Sequence, residues 1–81
     1  MPIKPLDPVI AKYVRSHQLT KKLAKQITLL ESNFRHPSLH TEVLEPKSRK
    51  LYSFRVDQKY RAIFVVHRGE IEIVDINDHY Q

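Results

Sequence analysis

The first 35 residues place their hydrophobic side chains at helical spacing. Asp7 and Pro8 form a helix start, because aspartate caps free backbone N–H groups and proline fits the first helical position. The apolar residues that follow predict a short helix to about His17. They are Val9, Ile10, Tyr13 and Val14.

A second helix is predicted directly after the first. Its apolar residues recur every three or four positions and form one stripe along the helix. The stripe consists of Leu19, Leu23, Ile27, Leu30 and Phe34. Residues 33–37 are expected to end this helix, since the residue before a proline avoids the helical conformation.

Beyond Ser38 the hydrophobic period falls to two, which is the spacing of β-strands. The pattern predicts four strands, at residues 42–45, 51–56, 60–67 and 71–76. Pro46 ends the first strand, and Arg68 with Gly69 forms a tight turn between the last two. The order predicts a single α+β domain over residues 1–81, in which two helices cover one face of a small twisted antiparallel β-meander.

The turn at residues 57–59 decides which side chains share a sheet face. A three-residue loop places Val56 opposite Tyr60 and unites two apolar sets in one layer. The sets are Tyr52, Phe54 and Val56 on one strand and Ala62, Phe64 and Val66 on the next. The same register pairs Arg55 with Arg61 on the other face, where two like charges repel each other. This pairing indicates an anion site, unless both side chains reach solvent or Glu42 and Glu72.

Composition narrows the classes of function. The chain has 81 residues, a net charge of +5 and no cysteine, which excludes disulfides, cysteine-based zinc sites and a cysteine nucleophile. Basic residues dominate the chain up to Arg68, whereas residues 69–81 carry four acids and no lysine or arginine. The basic body favours a polyanionic partner, and solubility is the plainer explanation. No long apolar run or signal-peptide pattern is present, so we expect a cytoplasmic protein with no membrane contact.

Five residues of the predicted sheet and its C-terminal end suit metal-independent RNA cleavage. This reaction uses the substrate's 2′-hydroxyl as nucleophile and needs a base, cations for the phosphorane and an acid for the leaving oxygen. Glu42 can be the base and His79 the acid, while Arg55 and Arg61 can hold the phosphate. Tyr80 can stack on a base or orient the phosphate. There are plainer alternatives for these residues. Glu42 can be an ordinary charge at the end of a strand, and His79 with Tyr80 can be a frayed tail. The histidine spacing predicts no metal site, and we expect no cofactor.

Three segments, at residues 36–44, 52–64 and 75–80, together resemble the RelE/ParE superfamily of bacterial toxins, closest to its YoeB-like ribonucleases. The matching features are Glu42 two residues before Leu44, the Tyr60-Arg61 pair and the His79-Tyr80 end. The resemblance implies Glu42 as base, Arg61 as phosphate clamp, His79 as acid and Tyr80 as a substrate-orienting group. It also implies an N-terminal strand, which the prolines at positions 2, 5 and 8 would restrict to a short edge.

The resemblance implies the toxin of a type II toxin–antitoxin system, acting as a ribosome-dependent mRNA endonuclease that inhibits translation. The expected partners are a cognate antitoxin and mRNA on the ribosome, with contacts to ribosomal RNA, in a homodimer or a toxin–antitoxin hetero-oligomer. Arg55 and the loop cations Lys47, Arg49 and Lys50 are the predicted phosphate-binding residues. Two alternatives stay open: a non-enzymatic ParE-like toxin that binds DNA gyrase, and a degenerate RNA-binding member.

Overall fold

A computed structural model describes residues 1–79 of the chain. Two helices precede a four-stranded antiparallel sheet in which neighbouring strands are also consecutive in the chain. The elements are α1 (Pro8–Ser16), α2 (Thr20–Ser32), β1 (Glu42–Val43), β2 (Tyr52–Arg55), β3 (Arg61–His67) and β4 (Glu70–Asn77). This confirms the predicted α+β class, the two helices and the β-meander.

The helices begin and end where the sequence indicates. The carboxylate of Asp7 accepts a hydrogen bond of 2.8 Å from the backbone N–H of Val9, which satisfies one of the free donors at the start of α1. Helix α2 ends at Asn33, whose extended backbone leaves the helical conformation. A 3₁₀ turn at Pro37–Leu39 then leads into the sheet.

The two hairpins of the meander have the predicted connections. Arg68 and Gly69 both adopt positive φ, at 53° and 80°, which matches the right-handed twist of the flanking strands β3 and β4. The loop at residues 57–59 gives the odd register, with Arg55 opposite Arg61 and Phe54 opposite Ala62. The predicted pairing of the two arginines is therefore confirmed.

An irregularity in β4 was not predicted. Ile63 pairs with Asp75 and the next residue, Phe64, pairs with Ile73, so Val74 is an extra residue in the ladder. Such a bulge reverses the alternation of side chains beyond it. It turns Ile76, which is 3% exposed, into the core and puts Asn77 directly opposite Arg61.

The core lies between the helices and one face of the sheet. Leu19, Leu23 and Leu30 of the predicted stripe are buried, and Ile27 and Phe34 pack against them half-buried. One expected core position is wrong: Val66 is 38% exposed near the end of β3. Val9, part of the apolar periodicity that predicts α1, is 77% exposed. Burial of large apolar side chains is the main force that holds the helices to the sheet.

The predicted N-terminal edge strand is reduced to one bridge. Ile3 pairs with Ile71 in parallel, through hydrogen bonds from Lys4 N–H to the Ile71 carbonyl and from Ile71 N–H to the Pro2 carbonyl. Strand β1 is also shorter than predicted and ends at Val43.

No helix among residues 1–79 has the length and apolar character needed to cross a membrane.

Candidate functional site

The sheet face that the helices leave uncovered, here called the cleft face, carries an open cleft of about 580 Å³. The strand register supplies two rows of side chains on this face. Glu42 pairs with Ser53 in one row, while Arg61 lies between Arg55 and Asn77 in the next. The cleft is lined by Glu42, Arg55, Asp57, Gln58, Lys59, Arg61 and His79. Four of the predicted site residues thus lie around one cavity.

Arg61 forms part of the interior beneath this cleft and is 8% exposed. Its Nε and Nη2 donate hydrogen bonds of 3.2 and 3.0 Å to the hydroxyl of Ser53, and Nη2 donates a third, of 2.6 Å, to the carbonyl of His40. Three of the five N–H groups of the guanidinium are thereby used. The two N–H groups of Nη1 have no acceptor among residues 1–79, which leaves them as donors for a bound anion.

The burial of Arg61 corrects an expectation drawn from the paired arginines. An exposed side chain was expected, reaching either solvent, an anion or a glutamate. Instead the guanidinium is held by neutral acceptors from β2 and from the segment before β1. Burial lowers the pKa of Arg61, the carboxylate of Glu42 opposes this effect, and Arg55 adds to it. A buried guanidinium with free donors attracts an anion more strongly than one in bulk water.

The backbone beneath Arg55 is fixed to α2. The side-chain amide of Gln26, which is 6% exposed, donates hydrogen bonds of 2.7 Å to the carbonyl of Arg55 and 3.1 Å to that of Ser38. One buried side chain therefore joins α2 to the end of β2 and to the 3₁₀ turn. The connection fixes the rim of the cleft from the opposite layer of the fold.

The loop between β2 and β3 is organised by Asp57. Its Oδ1 accepts hydrogen bonds from the backbone N–H groups of Lys59, at 2.8 Å, and Tyr60, at 2.7 Å. Its Oδ2 lies 3.0 Å from the ammonium of Lys22 on α2. Burial acts to raise the pKa of Asp57, but the hydrogen bonds from Tyr60, Lys22 and Lys59 outweigh it and the pKa is lowered.

Glu42 and His79 approach the cleft from opposite edges of the sheet. Glu42 starts β1 and is exposed, and its charge acts on the guanidinium of Arg61. His79 follows the end of β4 and is also exposed; its backbone N–H donates a 3.0 Å hydrogen bond to the side chain of Asn77. A titratable group therefore stands on each side of the buried arginine.

The remaining predicted residues lie elsewhere or beyond the described chain. Lys47 and Arg49 lie on a separate 3₁₀ turn, Lys47–Arg49, and Lys50 follows at its end. All three side chains are exposed, and none of them lines the cleft. Their role in substrate binding stays a prediction. Tyr80 lies outside the described residues, so its predicted role is equally untested.

Sequence reasoning missed three residues of the site. The sequence predicts the three-residue loop that contains Lys59, but it gives Lys59 no role in the site. Gln26 lies within the apolar stripe of α2, whereas Ser53 lies on the cleft face of β2, where it pairs with Glu42, and both are buried. A polar side chain within an apolar periodicity is the signal that could have identified Gln26, since buried polar groups require hydrogen-bond partners. Ser53 carries no such signal, because it stands at a polar position of the strand alternation.

Comparison with known proteins identifies the architecture. No family model matches the chain. A Haemophilus influenzae protein of uncharacterised function is 40% identical over 43 residues, which are 53% of this chain and less than half, 43%, of the relative. The YoeB/ParE toxin from Agrobacterium tumefaciens superimposes with a TM-score of 0.74 at 13% identity, covering 99% of this chain and all of the other. The chain has the fold of the YoeB-like toxins.

Two further structures share the YoeB-like fold. YoeB from Staphylococcus aureus, in a dimer, has a TM-score of 0.72 at 21% identity and covers 98% of this chain and 94% of its own. YafQ from Escherichia coli has a TM-score of 0.73 at 12% identity, and the match covers 96% of this chain and 90% of YafQ. The S. aureus protein also matches as part of a heterotetrameric YoeB–YefM toxin–antitoxin complex. The fold predicted by the resemblance to the RelE/ParE superfamily is thereby confirmed.

Proposed function

We propose that this protein is the toxin of a type II toxin–antitoxin pair and cuts mRNA on the ribosome, without a catalytic metal ion, so that translation stops. One observation carries the proposal. The buried guanidinium of Arg61, whose two Nη1 N–H groups have no acceptor among residues 1–79, shares a cleft with an exposed carboxylate, Glu42, and an exposed imidazole, His79. These are the three kinds of group that cleavage by an RNA's own 2′-hydroxyl requires.

Each group has one task in this reaction. The carboxylate of Glu42 takes the proton of the 2′-hydroxyl, whose oxygen then attacks the phosphorus. Arg61 donates hydrogen bonds to the non-bridging oxygens as their negative charge increases, and Arg55 adds a second guanidinium. His79, as imidazolium, gives a proton to the leaving 5′-oxygen when the bond from phosphorus to that oxygen breaks. The products are a 2′,3′-cyclic phosphate and a 5′-hydroxyl.

Preorganisation is the main contribution of the fold to this reaction. The hydroxyl of Ser53 and the carbonyl of His40 already hold the guanidinium of Arg61 before RNA binds. Donors fixed in advance stabilise a developing charge without the cost of reorganisation during the reaction. Arg61 therefore serves the transition state better than a mobile surface cation would.

The antitoxin is proposed from the charge of the chain and from its structural neighbours. A net charge of +5 and a cationic cleft suit an acidic partner that covers the site. The S. aureus neighbour forms a heterotetramer with its antitoxin YefM, and an assembly of this kind is proposed here as well. An antitoxin of this type would inhibit by occupying the cleft, which RNA must enter.

The test uses a purified translation system programmed with a defined mRNA. The wild-type protein is expected to cut the message inside ribosome-occupied codons, as mapped by primer extension. A message with a single 2′-deoxynucleotide at the cut position should stay intact there, because the proposed nucleophile is missing. Cutting of the 2′-deoxy message would overturn the mechanism, since it would require an external nucleophile such as a metal-activated water.

A gyrase poison would give a different result in the same experiment. The messages would remain uncut, while cells that express the protein would accumulate DNA breaks. That pair of results would overturn the ribonuclease proposal and favour the ParE-like alternative. A degenerate RNA-binding member would produce neither cut messages nor DNA breaks.

A further inference from the structure

Lys59 is a cation of the cleft to which no function has been assigned. It follows β2 in the loop at residues 57–59 and lines the same cavity as Arg55 and Arg61. Its ammonium lies 5.4 Å from the centre of the Tyr60 ring, within the distance at which a cation and an aromatic face attract each other. This contact gives the side chain of Lys59 a preferred position beside Tyr60.

The charge of Lys59 is not neutralised within the described chain. The ion pairs among residues 1–79 are Lys4 with Glu72 and Lys22 with Asp57. Asp57 is the neighbouring carboxylate in the loop, yet both of its oxygens are already engaged, one by two backbone N–H groups and the other by Lys22. Among residues 1–79, Lys59 therefore has no carboxylate partner.

The cations of the cleft exceed the needs of one phosphate. A scissile phosphodiester carries a single negative charge, and Arg61 with Arg55 already offers two guanidiniums. The carboxylate of Glu42 offsets one of these charges when it is ionised. Lys59 lies at the loop end of the cleft and adds a third cation, which suits the next negative charge along an RNA strand.

We infer that Lys59 binds a second RNA phosphate, adjacent to the one that is cut. The inference rests on the proposed RNA substrate and deepens it. Lys59 acts there as a point charge that positions the strand, and takes no part in proton transfer. The ion pair between Asp57 and Lys22 holds the loop that carries Lys59 against α2.

Two measurements test the inference. The first is the binding of a fluorescein-labelled single-stranded RNA, methylated at each 2′-oxygen so that it cannot be cut, over a series of KCl concentrations. A phosphate contact on single-stranded RNA contributes about 0.7 to the slope of log affinity against log salt. The variant Lys59→Gln is expected to lose about that amount of slope. Lys21→Gln is the matched control, since it removes one exposed lysine charge from α2 outside the cleft.

The second measurement is single-turnover cleavage of ribosome-bound mRNA. Lys59→Gln should raise the protein concentration needed for half-maximal cleavage several-fold and leave the maximal rate unchanged, because a positioning cation acts on binding. Lys22→Met should raise the half-maximal concentration by a smaller factor, because it removes the ion pair that holds the loop of Lys59 against α2. A Lys59 variant with the salt slope and half-maximal concentration of the wild-type protein would overturn the inference.

Failure of the inference is distinguishable from failure of the proposed function. If the wild-type protein cuts messages and Lys59→Gln binds RNA like the wild type, only the inference fails. If the wild-type protein leaves messages intact but the salt slope of RNA binding falls by about 0.7 in Lys59→Gln, the contact stands and the nuclease proposal fails. If no salt-dependent RNA binding occurs, both fail.

Discussion

The hydroxyl of Ser53 accepts two hydrogen bonds from the guanidinium of Arg61, at 3.2 Å from Nε and 3.0 Å from Nη2. Ser53 is fully buried and Arg61 nearly so, which makes this pair the polar floor of the cleft. The arrangement gives Arg61 two roles. Its hydrogen bonds to Ser53 and His40 stabilise the fold, and its Nη1 N–H groups, which have no acceptor among residues 1–79, are the donors that we propose for a substrate phosphate.

Replacement of Arg61 is therefore expected to affect stability as well as activity. Arg61→Ala removes the donors to Ser53 and His40 and should lower the free energy of unfolding by about 1–3 kcal/mol, as is typical when a buried acceptor loses its partner. Urea denaturation followed by circular dichroism measures this loss. The control Arg55→Ala should cost less, because that side chain is half-buried and makes no comparable hydrogen bonds within residues 1–79. Equal stability of wild type and Arg61→Ala would contradict the prediction.

Glu42 and His79 allow a cleaner test of the chemistry. Both side chains are exposed, so Glu42→Gln and His79→Asn should leave the free energy of unfolding unchanged within about 0.5 kcal/mol. Each should slow cleavage of ribosome-bound mRNA by a factor of roughly 10²–10⁴, the usual contribution of a general acid or base. The double variant should lose less than the product of the two factors, because both groups act in one step. A rate near that of the wild type in either single variant would remove that residue from the mechanism.

Gln26 is expected to be a structural residue that also affects the cleft. Gln26→Met keeps the length of the side chain and leaves the carbonyls of Arg55 and Ser38 without their donor. We expect the free energy of unfolding to fall by about 1–3 kcal/mol. Lys25→Met, at the next and exposed position of α2, is the control. If Lys25→Met loses a similar amount of unfolding free energy, the loss in Gln26→Met comes from methionine on the helix and not from the missing amide.

Asp57 should give the protein a stability term that depends on pH. Its pKa is lower in the folded state than in the unfolded chain, so the unfolded state binds more protons between the two values. The stabilisation is therefore complete above the unfolded pKa, at roughly 4, and is lost as the pH falls through the folded pKa. Asp57→Asn should be less stable than wild type by up to about 1 kcal/mol at neutral pH.

Denaturation of both proteins across a pH series measures this term. The difference in unfolding free energy between wild type and Asp57→Asn should shrink as the pH is lowered below roughly 4. Lys22→Met should show the same convergence, because it removes the ion pair from the other side. A difference that stays constant down to acidic pH would show that Asp57 does not contribute through its charge.

The local features of the fold could be predicted from the sequence because each depends on neighbouring residues. The Asp7-Pro8 start of α1 and the stripe from Leu19 to Phe34 reflect hydrogen bonding and periodicity within one helix. The Arg68-Gly69 turn reflects the backbone freedom that a two-residue hairpin loop requires. The pairing of Arg55 with Arg61 could also be predicted, since a three-residue loop keeps Phe54 and Phe64 in the same layer and a two-residue loop separates them.

The candidate site could be predicted only in part. Glu42, Arg55, Arg61 and His79 were named from their chemistry and from the family pattern, and the register brings them around one cleft. Lys59 was missed because its position depends on how the loop of Asp57 folds against α2. Lys47, Arg49 and Lys50 do not line the cleft, and their role in substrate binding stays a prediction.

By itself, the sequence determined the order of elements, the hairpin turns, the register of β2 with β3 and the chemical types of the site residues. Only the tertiary structure decided the burial of Arg61, the bulge at Val74 and the docking of the Asp57 loop on α2. The reason is that each of these depends on contacts between residues far apart in the chain. Arg61 is buried because Ser53 and His40 supply acceptors, and the bulge turns Ile76 into a core that the helices complete.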